Sequence, residues 1–148
     1  MPKQHVFISY CRENKQEVQR LRNDLINAGE PIWWDQDILP GQDWEYAVRQ
    51  AMNDSYAFIV CFSQEMEARV KAGVYPELRN AIKRQRQYLP GEVFLIPARL
   101  SKCQIPAMKI DETQTLDSLQ RIDLFPLAAR AGGIQRLVQA LQSAPERP

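Results

Sequence analysis

Tyr56-Ala57-Phe58-Ile59-Val60-Cys61-Phe62-Ser63 is the stretch that decides the fold. It is apolar at odd and even positions alike, so as a β-strand it has no face to offer to water. A strand of that kind belongs at the centre of a parallel sheet with helices covering both sides. The flanking sequence supplies the helices. Upstream, Asp43 is placed to cap a helix in which Ala47, Val48, Ala51 and Met52 keep helical spacing. Downstream comes a polar segment, residues 64–73, helical in part. A helix then starts at Tyr75-Pro76-Glu77-Leu78 and reaches Arg86, with Pro76 suited to its first turn.

The same alternation extends in both directions. His5-Val6-Phe7-Ile8-Ser9-Tyr10 reads as a first strand. Asn14 with Glu17 three residues later is a capping-box signal. The helix it opens carries Val18, Leu21 and Leu25 on one face and stops at Ala28-Gly29. Pro31-Ile32-Trp33-Trp34-Asp35 is a short second strand, followed by a loop over residues 36–42 that contains the Pro40-Gly41 turn signal. Residues 92–99 form a fourth strand and residues 121–125 a fifth. The closing helix spans residues 133–142, built on Ile134, Leu137, Val138 and Leu141. Five strands alternating with helices predict an α/β fold, a doubly wound parallel sheet in a single domain with right-handed crossovers. The domain is expected over residues 1–142, with residues 143–148 a tail that could be the stub of a linker.

Composition narrows the function classes. The chain has 148 residues, 45% apolar and 25% charged, which suits one globular domain with a real core. A net charge of +1 argues against a dedicated nucleic-acid binder. The local run Lys83-Arg84-Gln85-Arg86 reads as the solvated face of a helix. Cys11, Cys61 and Cys103 are widely spaced and include no CxxC pair, so neither a disulfide framework nor a metal site is expected. Cys61, inside the central strand, is expected to be buried and inert. No apolar run approaches the ~20 residues that span a bilayer. Met1-Pro2-Lys3-Gln4 leads straight into a strand, without room for a signal peptide. The expectation is a cytoplasmic protein without direct membrane or nucleic-acid partners.

In an open parallel sheet, ligands bind beyond the carboxyl ends of the strands. That rule selects Tyr10 to Asn14, Asp35 to Asp43, Ser63 with the residues after it, and the approach to Glu77. It sets aside the only histidine, His5, which starts the first strand at the opposite edge. No GxSxG elbow, GxGxxG fingerprint or Walker A loop occurs. A response-regulator receiver shares the coarse pattern but needs an acidic pair after strand one and an aspartate ending strand three. Those places hold Ser9-Tyr10-Cys11-Arg12 and Phe62-Ser63, so the receiver is rejected.

Taken in order, Val6 to Tyr10, then Trp34-Asp35 with Leu39-Pro40-Gly41 and Trp44, then Ile59 to Ser63, then Tyr75 to Leu78 with Ala81, resemble the boxes of a Toll/interleukin-1 receptor (TIR) domain of bacterial type. The resemblance implies a flavodoxin-like sheet of order 2-1-3-4-5. It also implies that the loop over residues 35–43 gates the site and mediates homotypic TIR–TIR assembly. Many bacterial and plant members consume NAD⁺ as a substrate, with no bound cofactor, through a glutamate at the position of Glu77. The resemblance further implies a role in defence or cell-death signalling, with a fused or associated sensor domain as the activating partner. Members often carry an aromatic four residues before that glutamate. Gly73 stands there in this sequence, with Tyr75 two residues before Glu77, so the group that stacks on nicotinamide is left open.

The residues give Glu77 two readings. It either provides the essential carboxylate or merely complements the helix dipole, a contribution of ~0.3–1 kcal/mol. Cleavage of the nicotinamide–ribose bond passes through an oxocarbenium-like cation, as in glycoside hydrolysis. Nicotinamide leaves as a neutral molecule, so one carboxylate suffices and no general acid is required. For the substrate contacts, Arg12 would pair with the pyrophosphate or simply sit exposed. Tyr10 would stack on a ring or pack in the core, and Asp35 would hold a ribose or cap a turn. Leu39, Ser63 and Tyr75 complete the candidate set. Trp33, Trp34 and Trp44 read as packing residues. An adaptor that works by TIR–TIR contact alone, without catalysis, is the alternative from another class.

Overall fold

The computed structural model describes residues 5–73 and 76–145. Its strands are β1 (His5–Ser9), β2 (Ile32–Trp33), β3 (Ser55–Phe62), β4 (Leu95–Arg99) and β5 (Ile122–Asp123). They form one sheet in the order β2-β1-β3-β4-β5, every pairing parallel. The helices are α1 (Lys15–Asn27), α2 (Trp44–Asn53), α3 (Gln64–Lys71), α4 (Pro76–Gln85) and α5 (Leu127–Ser143). The order and direction of the strands agree with the sequence reading.

β3 is buried at all eight positions, as its two-sided apolar pattern requires. Alternate side chains feed two separate cores. Ala57, Ile59 and Cys61 pack with Val18, Leu21 and Leu25 of α1 and with Leu137 and Leu141 of α5. Phe58, Val60 and Phe62 pack with Ala51 and Met52 of α2, Met66 of α3, and Leu78, Ala81 and Ile82 of α4. The strand period of two therefore distributes five helices, two on one face and three on the other.

Several boundaries differ from the sequence reading. β2 keeps only two residues, paired at Val6↔Ile32 and Phe7↔Trp33. Asp35–Asp37 then turns into a short 3-10 helix rather than continuing the edge strand. Asn14 does not cap α1 with its side chain. It is buried, and its Oδ1 instead accepts the Ser63 hydroxyl at 2.7 Å. Trp34 is buried and Trp33 stacks on Phe7 with ring centroids 5.1 Å apart, but Trp44 stands 53% exposed and is not a packing residue.

α5 starts six residues before the expected Gly133, and both glycines lie inside it. A glycine pair argues against a helix interior on propensity alone, so the pattern hides this helix. Packing explains Gly133: a Cβ there would meet the Asp123 carbonyl at 2.7 Å and Leu124 Cδ2 at 3.1 Å. The missing side chain lets α5 lie directly against β5. Gly132 has nothing within 4 Å and no such reason.

The two neighbours should respond with opposite signs to the same substitution. Gly133→Ala is expected to destabilise by about 1–3 kcal/mol through overpacking. Gly132→Ala is expected to stabilise by about 0.4–1 kcal/mol through the unfolded chain. Urea midpoints of the two variants check this, and equal shifts of one sign would refute the packing account.

Candidate functional site

α4 runs back along the sheet, and its far end is pinned at the amino edge. Arg84 donates to the Ser55 carbonyl at 3.1 Å, to Ser55 Oγ at 3.0 Å and to the Met52 carbonyl. Its guanidinium lies over the Phe94 ring at 4.6 Å. Gln85, also buried, accepts the Leu95 N–H at 2.9 Å. Arg86 donates through Nε to the Ile110 carbonyl. The basic run is therefore a correction to the sequence reading: only Lys83 and Arg86 are exposed, while Arg84 and Gln85 seal the bottom of the sheet.

Glu77 lies seven residues before Arg84, about 10 Å up the helix axis toward the carboxyl edge. It is half-buried in the first turn, beside buried Leu78. Leu78, Ala81 and Ile82 fix the roll of the helix on the sheet, so Glu77 sits at the margin of the apolar stripe rather than at its centre. Tyr75 falls outside the described residues. Gly73 ends α3 with a positive φ of 75° and its N–H on the Val70 carbonyl at 3.0 Å. A side chain is strained in that conformation, so the turn itself explains why no aromatic stands there.

Tyr10 and Asp35 come together at the ends of β1 and β2. The Tyr10 hydroxyl donates to Asp35 Oδ1. Its ring packs on the first core and tilts against Trp34 at 5.9 Å. Burial, then the hydrogen bond to Asp35, pushes the phenol well above its ordinary pKa. It stays a neutral donor across the physiological range. Asp35 opens the 3-10 helix, and Trp34 beneath it carries the Arg22 guanidinium at 5.3 Å. Arg12 is exposed in the short helix after β1. Leu39 is 65% exposed at the tip of the following loop, where its N–H is held by Gln42 Oε1 at 2.8 Å.

Ser63 is different. It is fully buried, donates to Asn14 Oδ1, and accepts the Met66 N–H at 3.1 Å as the cap of α3. Both capacities are used internally, so the expectation of Ser63 as a substrate contact is corrected to a structural role. Sequence reading missed the Asn14–Ser63 pair because it looked for Asn14's partner close by in the chain rather than 49 residues away. Cys61 is buried and its thiol is pushed up to about 12 by burial. Cys11, also buried, is pushed up to about 11 by the same cause. Neither is a nucleophile at neutral pH. Among the described residues no cluster of His, Cys, Asp and Glu is arranged to hold a metal ion.

Three surface clefts flank these elements. One, about 500 Å³, lies beyond β4 between Glu67, Arg99, Cys103 and Arg121. A second, about 760 Å³, runs along the outer side of α4 from Pro76 to Arg86, closed by Met108 and Lys109. A third, about 440 Å³, opens between the loop at Leu39 and α2. Glu77 lines none of the three.

The chain is thus a five-stranded doubly wound α/β domain with an exposed loop after β2 and an acid in the first turn of the helix before β4. The sequence profile of the TIR domain matches residues 6–138, and the chain belongs to that family. Solved structures agree on the fold. The TIR domain of the Toll-related receptor TRR-2 from Hydra magnipapillata superposes with a TM-score of 0.70 at 19% identity, over 93% of this chain and 97% of that one. A metazoan TIR-STING receptor from C. gigas gives 0.59 at 19% identity, over 96% of this chain and 41% of the receptor. A prokaryotic SEFIR domain gives 0.56 at 15% identity, over 95% and 94%. No curated protein matches the sequence. Among the described residues no helix is long and apolar enough to cross a membrane.

Ser63→Ala would leave the buried Asn14 amide oxygen without its donor and remove the α3 cap together. The expected cost is about 1–3 kcal/mol, read from the urea midpoint. Ser63→Ala with Asn14→Ala should cost less than the sum of the two single changes, and strict additivity would show the pair to be uncoupled.

Proposed function

We propose that this TIR domain is an NAD⁺ nucleosidase, cleaving the nicotinamide–ribose bond with Glu77 as the essential carboxylate. The observation that carries the reading is the placement of Glu77: half-buried, in the first turn of α4, at the margin of the apolar stripe. Family membership supplies the chemistry it would serve. As the glycosidic bond lengthens, positive charge grows on the ribose. A fixed carboxylate beside the sugar is attracted more strongly to that transition state than to the ground state, which is the requirement for catalysis. Tyr10 and Asp35, tied to each other across β1 and β2, would contact the ribose or adenine end. Arg12 would meet the pyrophosphate. Product, whether ADP-ribose or a cyclic isomer, depends on what reaches the cation first.

Glu77→Gln keeps the size and most of the hydrogen bonding of the side chain but removes its charge. Its stability cost is expected to stay near ~0.3–1 kcal/mol, the helix-dipole contribution. Nicotinamide release should fall about a hundredfold or more, a tenfold drop for each 1.36 kcal/mol of lost transition-state stabilisation. The measurement is free nicotinamide from NAD⁺ at high protein concentration. A folded variant with undiminished cleavage would overturn the mechanism.

The second reading, an adaptor acting by homotypic contact alone, is favoured by a different observation. Leu39, Trp44 and Tyr46 are 65%, 53% and 61% exposed on one loop and the start of α2. Large apolar side chains gathered so closely at a surface suit an interface. This reading predicts assembly without any nicotinamide release from the wild type. Under the enzyme reading, turnover per molecule should instead rise with protein concentration, and Leu39→Asp should abolish the rise.

A further inference from the structure

The cleft along the outer side of α4 is basic. Arg79, Lys83, Arg86 and Lys109 line it over a floor of Ile82 and Met108, and among the described residues no acid lines it. The cleft is separate from the surroundings of Glu77. Arg84, seven residues after Glu77 and on the same side of the helix, turns toward Met52 of α2. The cleft opens on the other side of α4, against residues 108–109.

Two acids lie near the basic cleft without lining it. Glu112 Oε2 is 3.5 Å from Lys109 Nζ, with both side chains largely exposed. Asp111 is within Coulombic reach of Arg86, but its carboxylate also accepts the Thr113 and Gln114 N–H groups at 2.8 Å each. Set against four cations, these acids leave the cleft positive. Residues 1–4 and 74–75, outside the described set, contain no acid that could reverse the balance. Glu146 follows Ala144, which packs in the core on the opposite face of the sheet.

The outline of the charge selects a ligand. Arg79, Lys83 and Arg86 recur at spacings of four and three, so they form one stripe about 10 Å long, parallel to the helix axis. Lys109 stands on the facing wall beside Met108. Arg86 is fixed in place, since its Nε donates to the Ile110 carbonyl. A line of cations at helical pitch matches a second helix laid along it, whose own acids recur at the same spacings. A compact polyanion would cover only part of the stripe and leave Ile82 and Met108 unused. A single-stranded nucleic acid would use aromatic groups to stack its bases, and among the described residues none lines the cleft.

We propose that the basic cleft along α4 is the docking site for an acidic amphipathic helix of a partner protein. Carboxylates on one side of that helix pair with Arg79, Lys83, Arg86 and Lys109, and its apolar side chains cover Ile82 and Met108. Opposite charge steers the encounter and sets the register, while the apolar floor adds burial. The surface is distinct from the one that carries Leu39. The inference stands whether or not Glu77 cleaves NAD⁺.

The probe is a synthetic amphipathic peptide of about 15 residues, long enough to hold a helix. It carries glutamates at spacings of four and three beside a row of leucines. The labelled peptide is titrated with the whole protein and read by fluorescence anisotropy. Binding is expected to weaken as salt rises and to be at least about tenfold tighter than that of a scrambled peptide of equal composition. Lys83→Glu with Lys109→Glu, both at exposed positions, should weaken it about tenfold or more. Circular dichroism establishes that the variant is folded. Equal affinity for the scrambled peptide, or undiminished binding by the variant, would sink the inference. Tighter binding of inorganic triphosphate or of a single-stranded oligonucleotide than of the helix would overturn it as well, making the cleft a polyanion site. Sedimentation velocity tests the remaining occupant. Wild-type oligomers that vanish in the variant would make the cleft a contact between copies of this chain and overturn the proposal.

Discussion

Eight consecutive residues of β3, Ser55 to Phe62, are shut away from water on both sides of the sheet. That enclosure constrains everything else. A strand buried on two faces must have neighbours along both edges, and β1 and β4 fill those places in parallel register, from His5↔Ser55 to Phe62↔Arg99. Parallel neighbours require crossover helices, which then cover the faces. The alternation of Ala57, Ile59 and Cys61 with Phe58, Val60 and Phe62 assigns α1 and α5 to one core and α2, α3 and α4 to the other. The small and aliphatic side chains face the pair of helices. On the other face, the Phe58 ring meets those of Phe7 and Phe94 from the two neighbouring segments.

This constraint is also what made the fold readable. Two-sided burial leaves an unbroken apolar run, and helical periodicity on either side of it is enough to give a parallel, doubly wound sheet; the strand order followed from the resemblance to TIR domains. The features that stayed hidden have a common cause: they are set by partners distant in sequence. Asn14 looks like a helix cap because Glu17 follows it, yet its side chain is claimed by Ser63. Arg84 looks like part of a solvated basic face, yet it closes the amino edge by binding Ser55 and Met52. Gly133 looks like a helix breaker, yet it is the residue that lets α5 touch Asp123. In each case local chemistry pointed one way and a tertiary contact won.

The candidate site was legible to a smaller degree. The rule that ligands gather beyond the carboxyl ends of parallel strands selected Tyr10 and Asp35 from separate segments, and a hydrogen bond joins them in the structure. It also selected Ser63, which lies at that edge but below the surface, because the rule locates an edge and says nothing of depth. Exposure separates the set: Arg12 and Leu39 reach solvent, Tyr10, Asp35 and Glu77 are half-buried, and Ser63 is enclosed.

Depth bears on how such a site would work. A carboxylate stabilises a developing cation most where water is excluded, since the same charge is worth far less in a high dielectric. Glu77 is half-buried and lines none of the three clefts described above. It does sit in the first turn of the helix whose outer side, from Pro76 to Arg86, forms the basic cleft. The helix that carries it is fixed from its other end, because any shift of α4 along the sheet would have to break the Arg84 and Gln85 hydrogen bonds to Ser55 and Leu95.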